Sequence, residues 1–148
     1  MIKDALDEKI LRELRWDARI SNAELGARVN LSPSACLRRV QELERRGVIK
    51  GYRTVIDPEA GGHKLVVFVM VGLSGHLRKD ALAFEQAMEA APQVQECHNI
   101  SGNVEYLLRV EVGDLTAFKT FHADILGVLP MVASINSHFC LGSSKDAR

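Results

Sequence analysis

Along the first third of the chain, apolar residues recur with the period of a helix. In DALDEKILRELRW, Leu6, Ile10 and Leu14 fall one turn apart, with Leu11 beside them, which makes a single apolar stripe. Asp4 and Asp7 are both candidate N-caps for it. In RISNAELGARVNL, Ser21 and Glu24 have the spacing of a capping box, which marks a second helix start. Leu25 and Val29 supply its buried face, Asn30 ends it and Leu31 plugs the turn that follows. A third helix begins at once: Ser32 caps it, and Pro33 fits its first position, where no amide hydrogen is needed. Cys36, Val40 and Leu43 then follow at i, i+4 and i+7, and Gly47 is placed to close the helix in the left-handed conformation. VIKGYRTVID reads as an extended connector.

From Gly61 the period changes. LVVFVMVGL, Leu65 to Leu73, is a continuous apolar and β-branched run, the pattern of a strand buried on both faces. KDALAFEQAMEAA is an amphipathic helix offering Leu82, Phe84, Ala87, Met88 and Ala91 to a core, and Pro92 stops it. VQECHNIS and VEYLLRVEV read as two strands joined by a tight turn at Gly102-Asn103. DLTAFKTFHADILGVL is one more amphipathic helix with Asp114 as N-cap, and MVASINSHFCL closes as a strand. The order βαββαβ is the ferredoxin-like split unit. Such a sheet carries helices on one face only, and a second copy of the chain is the simplest cover for the other.

Composition sharpens this picture at two points. The chain carries 19 Lys and Arg against 19 Asp and Glu, but residues 1–55 hold 12 against 8 and residues 56–148 hold 7 against 11. A basic front and an acidic back suit two units with different partners. The three cysteines, Cys36, Cys97 and Cys140, form no C-x-x-C pair. Charges interrupt the first ten residues, and the run at Leu65–Leu73 is too short to span a membrane as a helix. Together these point to reduced thiols, a cytoplasmic setting and no membrane partner.

Two short helices joined by a tight turn, the second opening on Ser-Pro-Ser, form a helix-turn-helix, whose second helix enters the major groove of double-stranded DNA. If Cys36, Val40 and Leu43 point inward, Ser34, Ala35 and Arg38 face out. Ser32 and Ser34 suit phosphate or base contacts at the helix start, and Arg38 is the candidate for reading a guanine edge. Arg39, Arg45, Arg46, Lys50 and Arg53 would supply phosphate attraction. Ser21 and Asn22, at the start of the preceding helix, complete the DNA-contact set. The competing reading is a solvated face, with these arginines paired to Glu42 and Glu44 at helical spacing.

The stretch from LDEKILRELRW to RRGVIKGY resembles the N-terminal domain of the Lrp/AsnC family of regulators, and VQECHNISGNVEYLLRVEV resembles that family's ligand-sensing domain. The resemblance covers nearly the whole chain. It implies a bacterial or archaeal transcription regulator, nucleoid-associated, whose C-terminal domains dimerise and assemble further into tetramers or octamers. It also implies an amino-acid effector bound between dimers. The expected fold is α+β: a winged-helix-like helix-turn-helix domain over residues 1–52, a connector over 53–63 and a ferredoxin-like βαββαβ effector-sensing domain over 64–148.

The resemblance places the effector site at Ser101, Gly102, Asn103, Val104, Glu105 and Tyr106, with Met131 and Ser134 beside it. Glu105 would pair with the ammonium group and the amides around Gly102 with the carboxylate. The chain departs from the family pattern here. Where the family has Gly-x-aromatic-Asp-Tyr, this sequence has Val104 for the aromatic and Glu105 for the aspartate, and Met131 stands where glycine is usual. Effector identity is therefore not inherited, and an effector-independent architectural DNA-binding protein of the same fold is the alternative function. No cofactor is expected. Cys97, His98, His122, His138 and Cys140 could be read as a metal set, but adjacent strand residues point to opposite faces and the spacing matches no zinc pattern. Glu105, His98 and Tyr106 could be imagined as an acid–base group, but no nucleophile can be placed beside them, so an enzyme is not expected. Cys36, on the inward stripe, reads as a core residue before a redox sensor.

Overall fold

A computed structural model describes residues 4–57, 60–62 and 65–145. The chain divides into two compact units, Met1–Thr54 and Val55–Arg148.

The first unit is three helices, α1 (Ala5–Trp16), α2 (Asn22–Val29) and α3 (Pro33–Arg45). Each starts where a side chain can take up orphan amide hydrogens. The Asp4 carboxylate accepts from the amides of Leu6 and Asp7 at 3.0 and 2.9 Å. Ser21 Oγ accepts from Glu24 N at 3.2 Å, and Ser32 Oγ from Ala35 N at 3.3 Å. Asn30 ends α2 in the left-handed region (φ 59°), and Gly47 follows the C-cap of α3 at φ 67°. Ile10, Leu25, Val29, Cys36 and Leu43 form the core, each at most 2% exposed. The second candidate cap, Asp7, is not a cap at all: it is buried and faces Arg39. Among the described residues of this unit no strand follows α3.

The turn between α2 and α3 is tight because Gly26 permits it. A Cβ there would lie 2.6 Å from the Leu31 carbonyl oxygen, a backbone atom that cannot step aside. The same carbonyl-bearing segment is tied back by the Leu31 amide, which donates to Gly26 O at 2.8 Å.

The second unit is a four-stranded antiparallel sheet with the strand order β2-β3-β1-β4. Its elements are β1 (Leu65–Leu73), α4 (Arg78–Ala90), β2 (Val94–Asn99), β3 (Tyr106–Val112), α5 (Leu115–Thr120) and β4 (Val132–Phe139). This is the ferredoxin-like order. Val67, Val69, Val71, Leu108 and Val110 pack with Phe84, Met88, Phe118, Phe121 and Leu126 into one core.

Four expectations from the sequence need correction here. Strand β1 is not buried on both faces: its burial alternates, with Val67, Val69 and Val71 in the core and Val66, Phe68 and Met70 half-buried on the opposite face. Leu82 is 47% exposed, because the inward phase of α4 runs through Ala81, Phe84, Met88 and Ala91. The β2–β3 connection is a six-residue loop, 100–105, closed by the Ile100 amide donating to Glu105 O at 2.9 Å, not a two-residue turn. Finally, α5 runs on into a π-helical segment, Phe121–Leu126. Phe121 and Leu126 are both 0% exposed, and the wider π turn brings residues five apart onto one face.

Because the added Cβ would meet backbone, Gly26→Ala is expected to destabilise the first unit by about 1–3 kcal/mol. Urea unfolding followed by Trp16 fluorescence measures this, and an unchanged midpoint would contradict the close-approach account.

Candidate functional site

In the first unit, α3 presents Ser34, Leu37, Arg38 and Gln41 on its exposed side, while Cys36, Val40 and Leu43 face the core. Ser32 and Ser34 hydroxyls lie 3.3 Å apart at the helix start. Ala35 is half-buried, Asn22 is half-buried, and Ser21 and Lys50 are exposed. Leu37, 41% exposed, and Gln41 were not singled out from the sequence. The signal was available, since both fall on the turn spacing that starts at Ser34. An apolar side chain suits a thymine methyl group and a glutamine suits an adenine edge.

The arginines of α3 sort into distinct employments. Arg39 spans to α1: its Nη1 lies 2.9 Å from Asp4 Oδ2 and 2.7 Å from Asp7 Oδ1. Arg39, expected among the phosphate contacts, is thus engaged inside the unit, because α1 brings two carboxylates opposite it. Arg45 makes a two-pronged pair with Glu42, 2.8 Å at each prong, so the solvated-face reading holds for that residue. Glu44 instead accepts from the Tyr52 hydroxyl at 2.7 Å, and burial, with Glu44 second, pushes the Tyr52 phenol up to about 12. Arg38 is exposed and joins no ion pair among the described residues. Cys36 is 0% exposed and burial pushes its thiol up, as suits a core thiol.

In the second unit, one end of the sheet gathers the other candidates. There β1 ends, β3 begins and β4 begins. Ser101, Gly102 and Asn103 are exposed on the 100–105 loop, and Gly102 has φ 140°. Glu105 is half-buried, and its Oε2 accepts from Leu73 N at 2.7 Å. His76 Nδ1 lies 3.6 Å from Glu105 Oε1. Met131 offers its carbonyl to Ser74 N at 2.8 Å, and Ser134 sits opposite Gly72, where a Cβ would lie 2.5 Å from its Oγ. The sequence reading missed Gly72, Leu73 and His76, since nothing in their local pattern reports a contact with a residue some thirty positions later.

Val104 is 6% exposed and lies at this end, its Cγ1 3.7 Å from where a Cβ on Gly72 would stand. One candidate does not turn its side chain here. Tyr106 is 1% exposed under α4, its ring 4.6 Å from that of Phe84 and its hydroxyl donating to Glu85 at 2.7 Å. Burial first, and Glu85 second, push that phenol up to about 12. Strand alternation explains Tyr106: it pairs with Val71, whose side chain also faces the core. Cys97 and His98 pair with Leu108 and Leu107 and so fall on opposite sheet faces.

A capped helix-turn-helix unit joined in one chain to a ferredoxin-like unit with a polar loop cluster defines a DNA-binding regulator with a ligand-binding domain. Residues 3–50 match the model of the winged helix-turn-helix DNA-binding family, and residues 66–148 match that of the Lrp/AsnC ligand binding domain. The chain is 38% identical over 144 residues to the leucine-responsive regulatory proteins of Klebsiella pneumoniae and Escherichia coli K12, covering 97% of this chain and 88% of each relative. Among solved structures, a transcriptional regulator from Neisseria meningitidis in complex with L-Met is similar at TM-score 0.92 and 33% identity, over 97% of this chain and 93% of that one. An AsnC family transcriptional regulator from Agrobacterium tumefaciens is similar at TM-score 0.90 and 33% identity, over 97% and 94%. The chain belongs to the Lrp/AsnC family of transcriptional regulators.

The Asp4 carboxyl is held below the usual carboxylate range, chiefly by the Asp7 amide and next by Arg39. A lowered carboxyl stabilises the fold above its ordinary pKa, and that contribution is lost as pH falls through the lowered value. Asparagine caps a helix as well as aspartate, so Asp4→Asn isolates the charge. The variant should melt lower at neutral pH, with the gap to the wild type closing as the pH drops below about 4. Parallel melting curves across that range would contradict the assignment.

Proposed function

We propose that this chain is a sequence-selective, non-enzymatic transcription regulator that reads DNA through α3 and whose assembly responds to a small amino acid. The observation that carries the DNA half is the sorting of the arginines. Arg39 and Arg45 are engaged within the unit. Arg38, on the exposed side with Ser34, Leu37 and Gln41, is left to meet a base edge. Ser21, Ser32 and Lys50 would hold phosphates.

The unit that binds is a dimer. Val66, Phe68, Met70 and Leu107 leave an apolar strip on the sheet face opposite the helices, and a second copy supplies a matching strip. Two recognition helices then meet two half-sites, so the operator is roughly palindromic. Tetramers or octamers built from these dimers place the 100–105 loop near a subunit contact. The L-Met complex of the Neisseria meningitidis regulator supports an amino acid as effector, with Glu105 taking its ammonium group. The protein works where the chromosome is, in the cytoplasm. The effector-independent architectural reading draws on the inward packing of Tyr106, which narrows what the loop offers a ligand.

Arg38→Ala should weaken binding to the specific operator by roughly 1–3 kcal/mol and relax base preference. Gel-shift titrations on the selected operator and on scrambled DNA measure both. Equal weakening on the two DNAs would sink the base-reading role.

A further inference from the structure

Strand β1 ends irregularly. Its register with β4 shifts between Gly72 and Leu73, and a shift of this kind leaves a backbone amide in need of a partner. The Leu73 amide donates to Glu105 Oε2 at 2.7 Å, and the next amide, Ser74, donates to the Met131 carbonyl at 2.8 Å. Two successive amides at the exit of β1 are therefore held by the two segments that the sequence singled out as effector contacts. Beyond them the chain runs through Gly75 and His76 to Leu77, the N-cap of α4, which has no side-chain cap of its own. The backbone of Glu105 is fixed as well, since its amide donates to Val71 O at 3.2 Å and its carbonyl accepts from Ile100 N at 2.9 Å. Its side chain is 26% exposed, and Oε1, the oxygen not committed to Leu73, lies 3.6 Å from His76, which is itself 90% exposed.

We infer that Glu105 is a positioning residue that ties the 100–105 loop to the exit of β1 through one carboxylate oxygen while offering the other to the effector. The inference rests on the reading of this loop as the effector site. It also gives the departure from the family pattern a physical content. An aspartate on the same backbone would end about 1.5 Å short and could not reach the Leu73 amide from there. The extra methylene of glutamate makes the tie, and a charge-assisted hydrogen bond is the stronger kind. An ammonium group arriving at Oε1 thus binds a carboxylate already oriented by the β1 backbone. Occupancy fixes Glu105, and with it the segment Ser74–Leu77 that leads into α4.

Amide hydrogen exchange at Leu73, read on the full chain beside a calorimetric Kd, tests this. Glu105→Ala and Glu105→Asp should speed exchange at Leu73 by roughly ten- to hundredfold, the loss expected for a hydrogen bond to a charged group. Glu105→Gln keeps an oxygen at the same reach and should speed exchange by only about three- to tenfold, since the neutral bond is about half as strong. Far-UV circular dichroism checks that each variant is folded. L-leucine and L-methionine serve as ligand probes. The probe that binds the wild type should slow Leu73 exchange further, and Glu105→Gln should lose at least about tenfold in its affinity while keeping part of the protection. A merely structural glutamate would leave that affinity unchanged. Exchange as fast in the wild type as in Glu105→Ala, or full protection in Glu105→Asp, overturns the tie. Failure of the wild type to bind either probe, with the exchange pattern intact, counts against the effector reading and the ligand half of the inference, and leaves the tie standing.

Discussion

The constraint on which the C-terminal unit depends is a four-stranded sheet with helices on one face only. The inner face is closed by Phe84, Met88, Phe118, Phe121 and Leu126. The outer face carries Val66, Phe68, Met70 and Leu107 together with the Arg109–Glu111 ion pair, Arg109 across from Phe68 and Glu111 across from Val66. Fully burying a large apolar side chain is worth about 1.5–3 kcal/mol, so a row of four left partly in water is a substantial unspent driving force. Its alignment along two adjacent central strands, β1 and β3, suits a flat, self-complementary contact. The ion pair beside it is worth little in stability once desolvated.

The N-terminal unit is organised by a different economy, in which charge is spent internally before any is offered to DNA. Asp4 both caps α1 and faces Arg39, and the buried Asp7 faces the same guanidinium. That bridge pins the recognition helix to α1 across 32 residues of sequence. With Arg39 and Arg45 so engaged, the exposed side of α3 is not uniformly basic. It is a mixed surface of Ser34, Leu37, Arg38 and Gln41, and a mixed surface can discriminate base edges where a uniformly basic one mainly attracts phosphate. Gly26 serves the same end, because only the close approach of Leu31 to it sets α3 at its angle to α2.

How far the sequence revealed these features depended on whether their causes are local. The helix starts at Ser21, Ser32 and Asp114, the left-handed Asn30 and Gly47, and the inward stripe of α3 are all caused by neighbours within a turn or two, and all were legible. The role of Asp7 was not, because a carboxylate near a helix start looks like a cap until Arg39 is brought to it. The apolar run of β1 reads as doubly buried because sequence records hydrophobicity, not which face a single chain covers. The same run is consistent with burial once a second copy is present. Tyr106 and Glu105 are adjacent, and strand alternation sends one to the core and the other to the loop cluster. The π-helical segment at Phe121–Leu126 arises from packing both residues onto one core, which periodicity at 3.6 residues cannot express.

The central claim is that the bare sheet face is a dimer surface that the regulator needs. Sedimentation equilibrium on the wild type and on Met70→Asp, at micromolar protein, tests it most directly. The account predicts a wild type no smaller than a dimer and a folded variant shifted towards monomer, since a carboxylate across from Leu107 would be buried without a cationic partner. A monomeric wild type, or a variant that assembles as the wild type does, would contradict it.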